Sequence, residues 1–211
     1  GATGTIGSAC AQMLAAEVGE LVLVGRRPEA LAVVAEQCSG QRARVSTHTD
    51  LHAIYRADVV ITVTNAVHAI IEPQHLKPGA VVCDVARPRD VSRQVEAQRS
   101  DVLVIEGGMV EVPGPVDFGF DFGFPPGKSF ACMAETMILA LEGRYEDYTV
   151  GKTIALDRVL EIGALDGKAW LPAERFRSFE RAVTEEHIAQ VRELAHDHLK
   201  HWSPSLADGA G

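Results

Sequence analysis

The sequence predicts an α/β protein, a doubly wound parallel sheet with a helical C-terminal extension. Three observations carry that prediction. The first is Gly1-Ala2-Thr3-Gly4-Thr5-Ile6-Gly7, a G-x-x-G-x-x-G turn that runs directly into a helix-patterned segment. Glycines at this spacing let the backbone turn tightly and approach a diphosphate. The following helix aims its free N–H groups and the positive end of its dipole at that anion. The second observation is the alternation of short continuous apolar runs with amphipathic segments as far as Gly108, the pattern of buried parallel strands and crossover helices. The third is a return to helix-patterned sequence from Ser129 onward. Together these describe a Rossmann-like sheet.

The elements follow in order. Ile6, Ala9, Cys10, Met13, Leu14 and Val18 recur near i, i+3, i+4 and predict a helix over 5–18. Residues 21–24 are an apolar strand ending in Gly25-Arg26-Arg27. A helix over 28–38 has Pro28 in its first turn and Leu31, Val34, Ala35 and Cys38 on one face, with Gly40 closing it. A strand is expected over 43–47, then a short helix to Arg56 capped by Thr49 or Asp50. Further strands are expected over 58–64, 79–85 and 101–106, with a connector containing a short helical piece over 70–76 and a helix over 90–98. The glycine-, proline- and phenylalanine-rich stretch 109–127 reads as an irregular loop or short hairpin. Ser129 is expected to open a helix to about Gly143, with another over 153–162 and a break at Leu171-Pro172. A long amphipathic helix over 173–202 turns Phe176, Phe179, Val183, Ile188, Val191, Leu194 and Leu199 inward. Residues 203–211 are expected to be a disordered tail. The expected domains are thus a cofactor domain over 1–127 and a helical extension over 128–202. A dinucleotide fold needs a strand feeding its glycine turn, so the chain is expected to be the interior of a longer protein.

Composition narrows the class. The 211 residues are 46% hydrophobic and 23% charged, enough apolar matter for a sizeable core. A net charge of −9 argues against broad nucleic-acid binding and a basic membrane-surface patch. No apolar run approaches the roughly 18–20 residues of a membrane span. Cys10, Cys38, Cys83 and Cys132 show neither metal nor disulfide spacing, which suits free thiols in a reducing cytoplasm. His196-Asp197-His198 and His201 lack the partners of a metal motif, so no metal site is expected and a solvated helix face is the reading.

Candidate binding residues cluster at strand ends. A cofactor with a free ribose 2′-hydroxyl usually meets an acidic residue after the second strand of the unit. Here Arg26 and Arg27 stand in that position, which suits a 2′-phosphate and hence NADPH. The candidate cofactor-binding set is Gly1, Ala2, Thr3, Gly4, Thr5, Ile6, Arg26, Arg27, Thr62, Val63, Thr64 and Asn65. Cys132 falls in the first turn expected after Ser129, near Lys128. A helix N-terminus and a cation both favour thiolate, so a lowered pKa and covalent catalysis on an acyl group are expected. A buried structural cysteine is the alternative reading there. It is the preferred reading for Cys10 and Cys83, and Cys38 is read as helix-end packing. Glu135 and Glu142 read as surface carboxylates, and Asp84 as a residue that orients a loop or meets substrate.

From Gly107 onward a family pattern is visible. Gly107-Gly108-Met109-Val110-Glu111, then Phe130-Ala131-Cys132-Met133-Ala134-Glu135-Thr136-Met137, then Leu141-Glu142, Tyr145, Tyr148-Thr149 and Gly151-Lys152, resemble the long-chain fatty acyl-[acyl-carrier-protein] reductases. With the glycine turn the resemblance covers roughly residues 1–170, and its F-A-C-x-A-E core is specific. It implies NADPH-dependent reduction of an acyl-carrier-protein or coenzyme A thioester to a fatty aldehyde. Cys132 would be the nucleophile, and an aldehyde-consuming enzyme a possible partner. The segment Cys83-Asp84-Val85-Ala86-Arg87-Pro88-Arg89-Asp90 looks more like the glutamyl-tRNA reductases. A glutamyl-tRNA-reductase- or shikimate-dehydrogenase-like oxidoreductase, with Cys132 structural, is therefore the rival enzyme. A non-catalytic nucleotide-binding module is the rival of another class.

Overall fold

The computed structural model describes residues 1–112, 114–120, 126–151, 153–169 and 176–203, with the backbone alone for 166–169. Pro113, residues 121–125, Lys152, the expected break at Leu171-Pro172 and all of the expected tail but Ser203 lie outside them. The chain forms two compact units, one of residues 1–107 with 177–211 and one of 108–176. This division differs from the boundary expected at 127: the C-terminal helix belongs with the N-terminal sheet.

The first unit is the α/β part. Helix α1 (Thr5–Ala15) is followed by β1 (Glu20–Val24), α2 (Pro28–Gln37), β2 (Arg44–His48), β3 (Val59–Thr62), β4 (Val81–Asp84), α3 (Arg93–Gln98) and β5 (Leu103–Glu106). Strand β1 pairs in parallel with β2, and β3, β4 and β5 form a parallel sheet in that order with Val60, Val82 and Val104 in register. β1 and β3 are not paired with one another. Gly1 and Ala2 stand between their carboxyl ends, with the Ala2 N–H donating to Val24 O at 3.2 Å. The short helix after Asp50 is a 3-10 turn (Leu51–Arg56), capped by the Asp50 carboxylate, which accepts from the His52 N–H at 2.9 Å.

Both faces of the sheet are covered, as the strand period of two requires. Val60, Val82 and Val104 pack with Leu76, Val91 and Val95 in one core. Leu103 on the opposite face packs with Val183 and Val191, and Ile105 and Ile188 border it. Val183 is buried just before α6 (Glu185–Leu199), which carries the other two. Around β1 a separate core joins Ala11 and Ala15 of α1 to Leu31 and Val34 of α2. The parallel strands with helices on both faces are the Rossmann-like fold the sequence predicts.

Two predicted elements differ. No helix runs through 176–184, and residues 173–175 of the expected helix lie outside the described residues. Strands β8 (Arg177–Ser178) and β9 (Arg181–Ala182) form a hairpin whose turn residues Phe179 and Glu180 are left-handed, with φ of 45° and 72°. Left-handed backbone costs L-residues roughly 1–2 kcal/mol each. Tertiary contacts offset this: Phe179 is buried, and the Glu180 N–H donates to the buried Glu106 carboxylate at 2.7 Å. Thr184 then restarts the chain as a helix, its hydroxyl accepting from the His187 N–H at 3.1 Å. Likewise Ser129 does not open a helix. It lies fully buried in β7 (Lys128–Phe130), which pairs antiparallel with β6 (Met109–Glu111), and α4 (Ala131–Leu141) begins after it. Helix α5 (Leu156–Ala169) completes the second unit.

The C-terminal helix is tied to the sheet by charge as well as packing. Asp101 is 2% exposed and takes a two-pronged contact from Arg99 at 2.8 and 3.1 Å, while His198 Nδ1 of α6 stands 3.0 Å from its Oδ2. Burial pushes the Asp101 carboxyl up, but the hydrogen bonds from Arg99 and His198 outweigh it and hold its pKa below the ordinary value. A carboxylate with a depressed folded-state pKa stabilises the fold above its unfolded pKa, and that contribution is lost as pH falls through the folded one. Asp101→Ala leaves Arg99 without its carboxylate and should cost about 3 kcal/mol at neutral pH. Urea titrations should show this loss, and the variant's stability should fall less steeply than the wild type's below about pH 4.

Candidate functional site

The glycine turn is built by close backbone approach. Gly1 O accepts the Gly4 N–H at 3.0 Å, and Gly4 O accepts the first helical bond from the Ser8 N–H at 2.9 Å. Gly4 is the N-cap of α1, in extended backbone with no capping side chain. A Cβ added at Gly7 would stand 2.1 Å from Gly1 O, and one at Gly1 would meet the backbone C and O of Val63 at 3.0 Å. A helix start crowded this tightly by backbone has no room for a Cβ at Gly1 or Gly7, the requirement that a dinucleotide-binding turn places on its glycines. Ala2 packs into the α1–α2 core, Ile6 is 49% exposed, and Thr3 lies against Gly25.

Arg26 and Arg27 follow at the end of β1. Both are exposed, Arg27 is the N-cap of α2, and among the described residues neither pairs with a carboxylate. Beside them a cleft of about 270 Å³ is lined by Pro28, Leu31, Thr47, His48, Thr49 and Asp50. It lies at the carboxyl ends of β1 and β2, where an adenosine moiety sits in such sheets. Two guanidinium groups there present a fork-shaped donor set suited to a phosphate monoester.

The third expected segment does two different things. The Thr62 and Thr64 hydroxyls both donate to the Asp90 carboxylate, Thr64 at 2.5 Å, and the Thr64 N–H donates to it at 2.9 Å. Their hydroxyls therefore hold the loop in place. Val63 lies against Gly1, and Asn65 is exposed. The organising residue, Asp90, is fully buried and absent from the sequence-derived set. Its signal was the pair Asp84 and Asp90 flanking a proline-containing loop at a strand end. Asp84, also buried, accepts the Ala86 and Val91 N–H groups, each at 3.0 Å. Burial pushes its pKa up against the lowering effect of these N–H groups. It orients a loop, one of the two roles expected of it. Arg89 within that loop donates to Glu106 at the end of β5 at 2.7 Å.

Cys132 belongs to the second unit, and the cofactor residues to the first. It is the second residue of α4 and is exposed. The N-cap, Phe130, offers the helix no side-chain acceptor, and the Ala131 N–H donates to Gly108 O at 2.9 Å. Thr136 of the next turn donates its hydroxyl to Cys132 O at 3.3 Å. Lys128, expected as the cation beside the thiol, is ion-paired across β6 and β7 with Glu111 at 3.0 Å. An exposed thiol in an uncapped first turn is accessible to an electrophile, with backbone N–H groups beside it.

The remaining candidates fall into packing and surface roles. Cys38 is fully buried at the end of α2, and burial raises the Cys10, Cys38 and Cys83 thiols. Glu135 is engaged by the Thr149 hydroxyl at 2.5 Å, and Glu142 is exposed. Among the described residues no three histidine, cysteine or acidic side chains are grouped to hold a metal ion. Among the same residues no helix is long and apolar enough to cross a membrane.

Comparison with known proteins adds the following. The model of the family described as shikimate / quinate 5-dehydrogenase matches residues 1–106. Aminotransferase PigE of Serratia sp. is 32% identical over 211 residues, covering 93% of this chain and 23% of its own length. The long-chain acyl-[acyl-carrier-protein] reductase of Synechococcus elongatus is 30% identical over 171 residues, covering 77% of this chain and 48% of its own. The chain thus spans about a quarter of the first relative and about half of the second.

Proposed function

The chain belongs to the shikimate / quinate 5-dehydrogenase family of NADP-binding oxidoreductases. On that premise we propose that it reduces a long-chain acyl thioester, carried by acyl-carrier protein or coenzyme A, to a fatty aldehyde in the cytoplasm. The observation that carries the reading is Cys132, an exposed thiol in the uncapped first turn of α4. Similarity to a long-chain acyl-[acyl-carrier-protein] reductase over 77% of the chain supports it.

In this reading Cys132 Sγ, as thiolate, attacks the thioester carbonyl. The backbone N–H groups of the α4 first turn face the developing oxyanion. The carrier thiol leaves with a proton, and the acyl group is held on Cys132 as a new thioester. NADPH, when bound, supplies the hydride that turns this acyl group into aldehyde and restores the thiol. Gly1 to Ile6 would hold the diphosphate and Arg26 and Arg27 the 2′-phosphate, with Val63 and Asn65 at the strand end where Thr62, Thr64 and Asp90 fix the loop. An aldehyde is an electrophile that other enzymes consume, by amination among other reactions. The similarity to a protein named as an aminotransferase suits such a partner.

Incubating the full-length protein with acyl thioester and no NADPH tests the covalent step. Mass spectrometry should find the acyl group on the peptide containing Cys132, and acylation elsewhere or nowhere would sink it. A second reading, a hydroxy-acid or glutamyl-type NADP oxidoreductase with Cys132 unreactive, is favoured by the family match over residues 1–106. It predicts turnover with no acyl group on Cys132. The cofactor assignment has its own test. Arg26→Asp with Arg27→Ala should weaken NADPH by about a hundredfold and NADH by less than about threefold. Equal loss of both in fluorescence titrations contradicts the 2′-phosphate role.

A further inference from the structure

The sheet of the first unit changes direction at Gly1. β2 lies on the far side of β1, and β4 and β5 follow β3 on the other side. The crevice at the carboxyl ends of β1 and β3 is thus the switch point of the sheet, the place where such sheets bind their ligands. The glycine turn forms one wall. The other is the loop that leaves β3. It is brought directly against the turn, since a Cβ at Gly1 would stand 3.0 Å from Val63 C and O.

Residues 65–69 of this loop are held at both ends by one residue. On the near side the Thr64 hydroxyl and N–H donate to the Asp90 carboxylate, and Thr64 Oγ1 accepts the Ala66 N–H at 3.1 Å. On the far side the Ile70 and Ile71 N–H groups donate to Asp90 O at 2.8 and 2.9 Å. Asp90 is fully buried, and these bonds to its carboxylate offset the desolvation of the charge. The loop they fix adds no side chain to the core: Val67 is 77% exposed, and Asn65, His68 and Ala69 are exposed. A loop fastened to a rigid scaffold, with its side chains presented at the ligand edge, is the usual carrier of binding and catalytic groups. The titratable side chain among residues 63–71 is His68.

We propose that His68 is a further catalytic residue, the proton donor to the carbonyl oxygen of the substrate. This rests on the reading of the protein as a thioester reductase. As hydride reaches the carbonyl carbon, the C=O π pair moves onto oxygen, and the imidazolium N–H gives that oxygen its proton, leaving neutral imidazole. The product of the step is a thiohemiacetal. The imidazole then takes the hydroxyl proton back, the C=O bond re-forms, the C–S bond breaks with its pair on sulfur, and the thiolate receives the proton. Imidazole suits both transfers, because it gives and takes protons near neutral pH. Val67, beside it, offers the substrate an apolar contact.

Two measurements on the full-length protein test this. Carbethoxylation by diethyl pyrocarbonate, mapped by peptide mass spectrometry, reads the placement without turnover. Saturating NADP+ should slow the reaction of His68 about fivefold or more. His196 is the internal control and should react at one rate throughout. It is exposed on α6 beside Ala195, which lies against Gly79 at the amino end of β4. In the second measurement, His68→Ala and His68→Gln should each lower kcat with palmitoyl-coenzyme A about a hundredfold, with NADPH affinity within about threefold of wild type. Added imidazole should restore the alanine variant about tenfold, a rescue that a structural role would not give. With an active wild type, any of three results overturns this proposal alone: His68 unprotected by NADP+, an alanine variant that keeps more than about a third of kcat, or no rescue. A wild type inert toward the thioester overturns the reductase reading, and the proton-transfer role falls with it.

Discussion

Cys132→Ala should lower aldehyde formation by the full-length protein about a thousandfold or more, with NADPH affinity unchanged within about twofold. The size of the effect follows from the chemistry. Without the thiol no acyl-enzyme forms, and hydride would have to reach the carrier thioester directly. The structural cost is small, because Cys132 is exposed and its neighbours in α4 are held by Ala134, Ile138 and Leu139, which are buried. Circular dichroism and the urea midpoint should therefore match the wild type. Aldehyde measured by gas chromatography decides the matter: retention of more than about a tenth of the activity excludes Cys132 as the nucleophile. Cys132→Ser separates position from reactivity, since an alkoxide is far harder to form than a thiolate and the serine variant should be nearly as slow.

Gly7→Ala should abolish measurable NADPH binding, a loss of at least about a hundredfold, and destabilise the first unit by about 3 kcal/mol. The added methyl falls 2.1 Å from Gly1 O and 2.9 Å from Gly1 C, both backbone atoms. Relief requires the turn to open. Yet Gly1 O holds the Gly4 N–H, and Ala2 is fastened to Val24. Gly4→Ala is the informative contrast. Its methyl would meet Gly1 O at 3.3 Å, tight but bearable, so stability should fall by less than about 1 kcal/mol. Differential scanning calorimetry with and without NADPH separates the two. A Gly7→Ala protein with wild-type melting and wild-type cofactor shift would refute the packing argument.

The alternation of β1 through β5 with their helices was legible because buried parallel strands and amphipathic helices differ in period. Glycines show where backbone must come close, so the tight turn at Gly1–Gly7 was legible too. What the chain concealed was decided by contacts between distant residues. Nothing local in Arg177–Ala182 announces a hairpin, and its apolar spacing is that of a helix. The turn exists because Glu106, 74 residues earlier, takes the Glu180 N–H. Ser129 carries a helix-cap composition, but Met109–Glu111 claims the segment as a strand partner. Asp90 was hidden for the same reason, since its role lies in Thr62 and Thr64, 28 and 26 residues away. The pattern after Gly107 exposed Cys132 as a candidate but not the pairing of Lys128 with Glu111.

The hairpin at Phe179 and the helix after it have a consequence for biogenesis. The first unit is discontinuous, its sheet lying in residues 1–107 and its covering helix α6 in Glu185–Leu199. During synthesis the strands leave the ribosome well before α6 exists, and at typical elongation rates of about 5–20 residues per second that interval lasts several seconds. Through it Leu103 and Ile105 present a naked apolar face, and closure must await a long-range loop. The nascent sheet is thus a natural client for a chaperone, and ribosomes stalled after the codon for Gly107 and before that for Glu185 should display a protease-sensitive sheet that becomes resistant once α6 emerges.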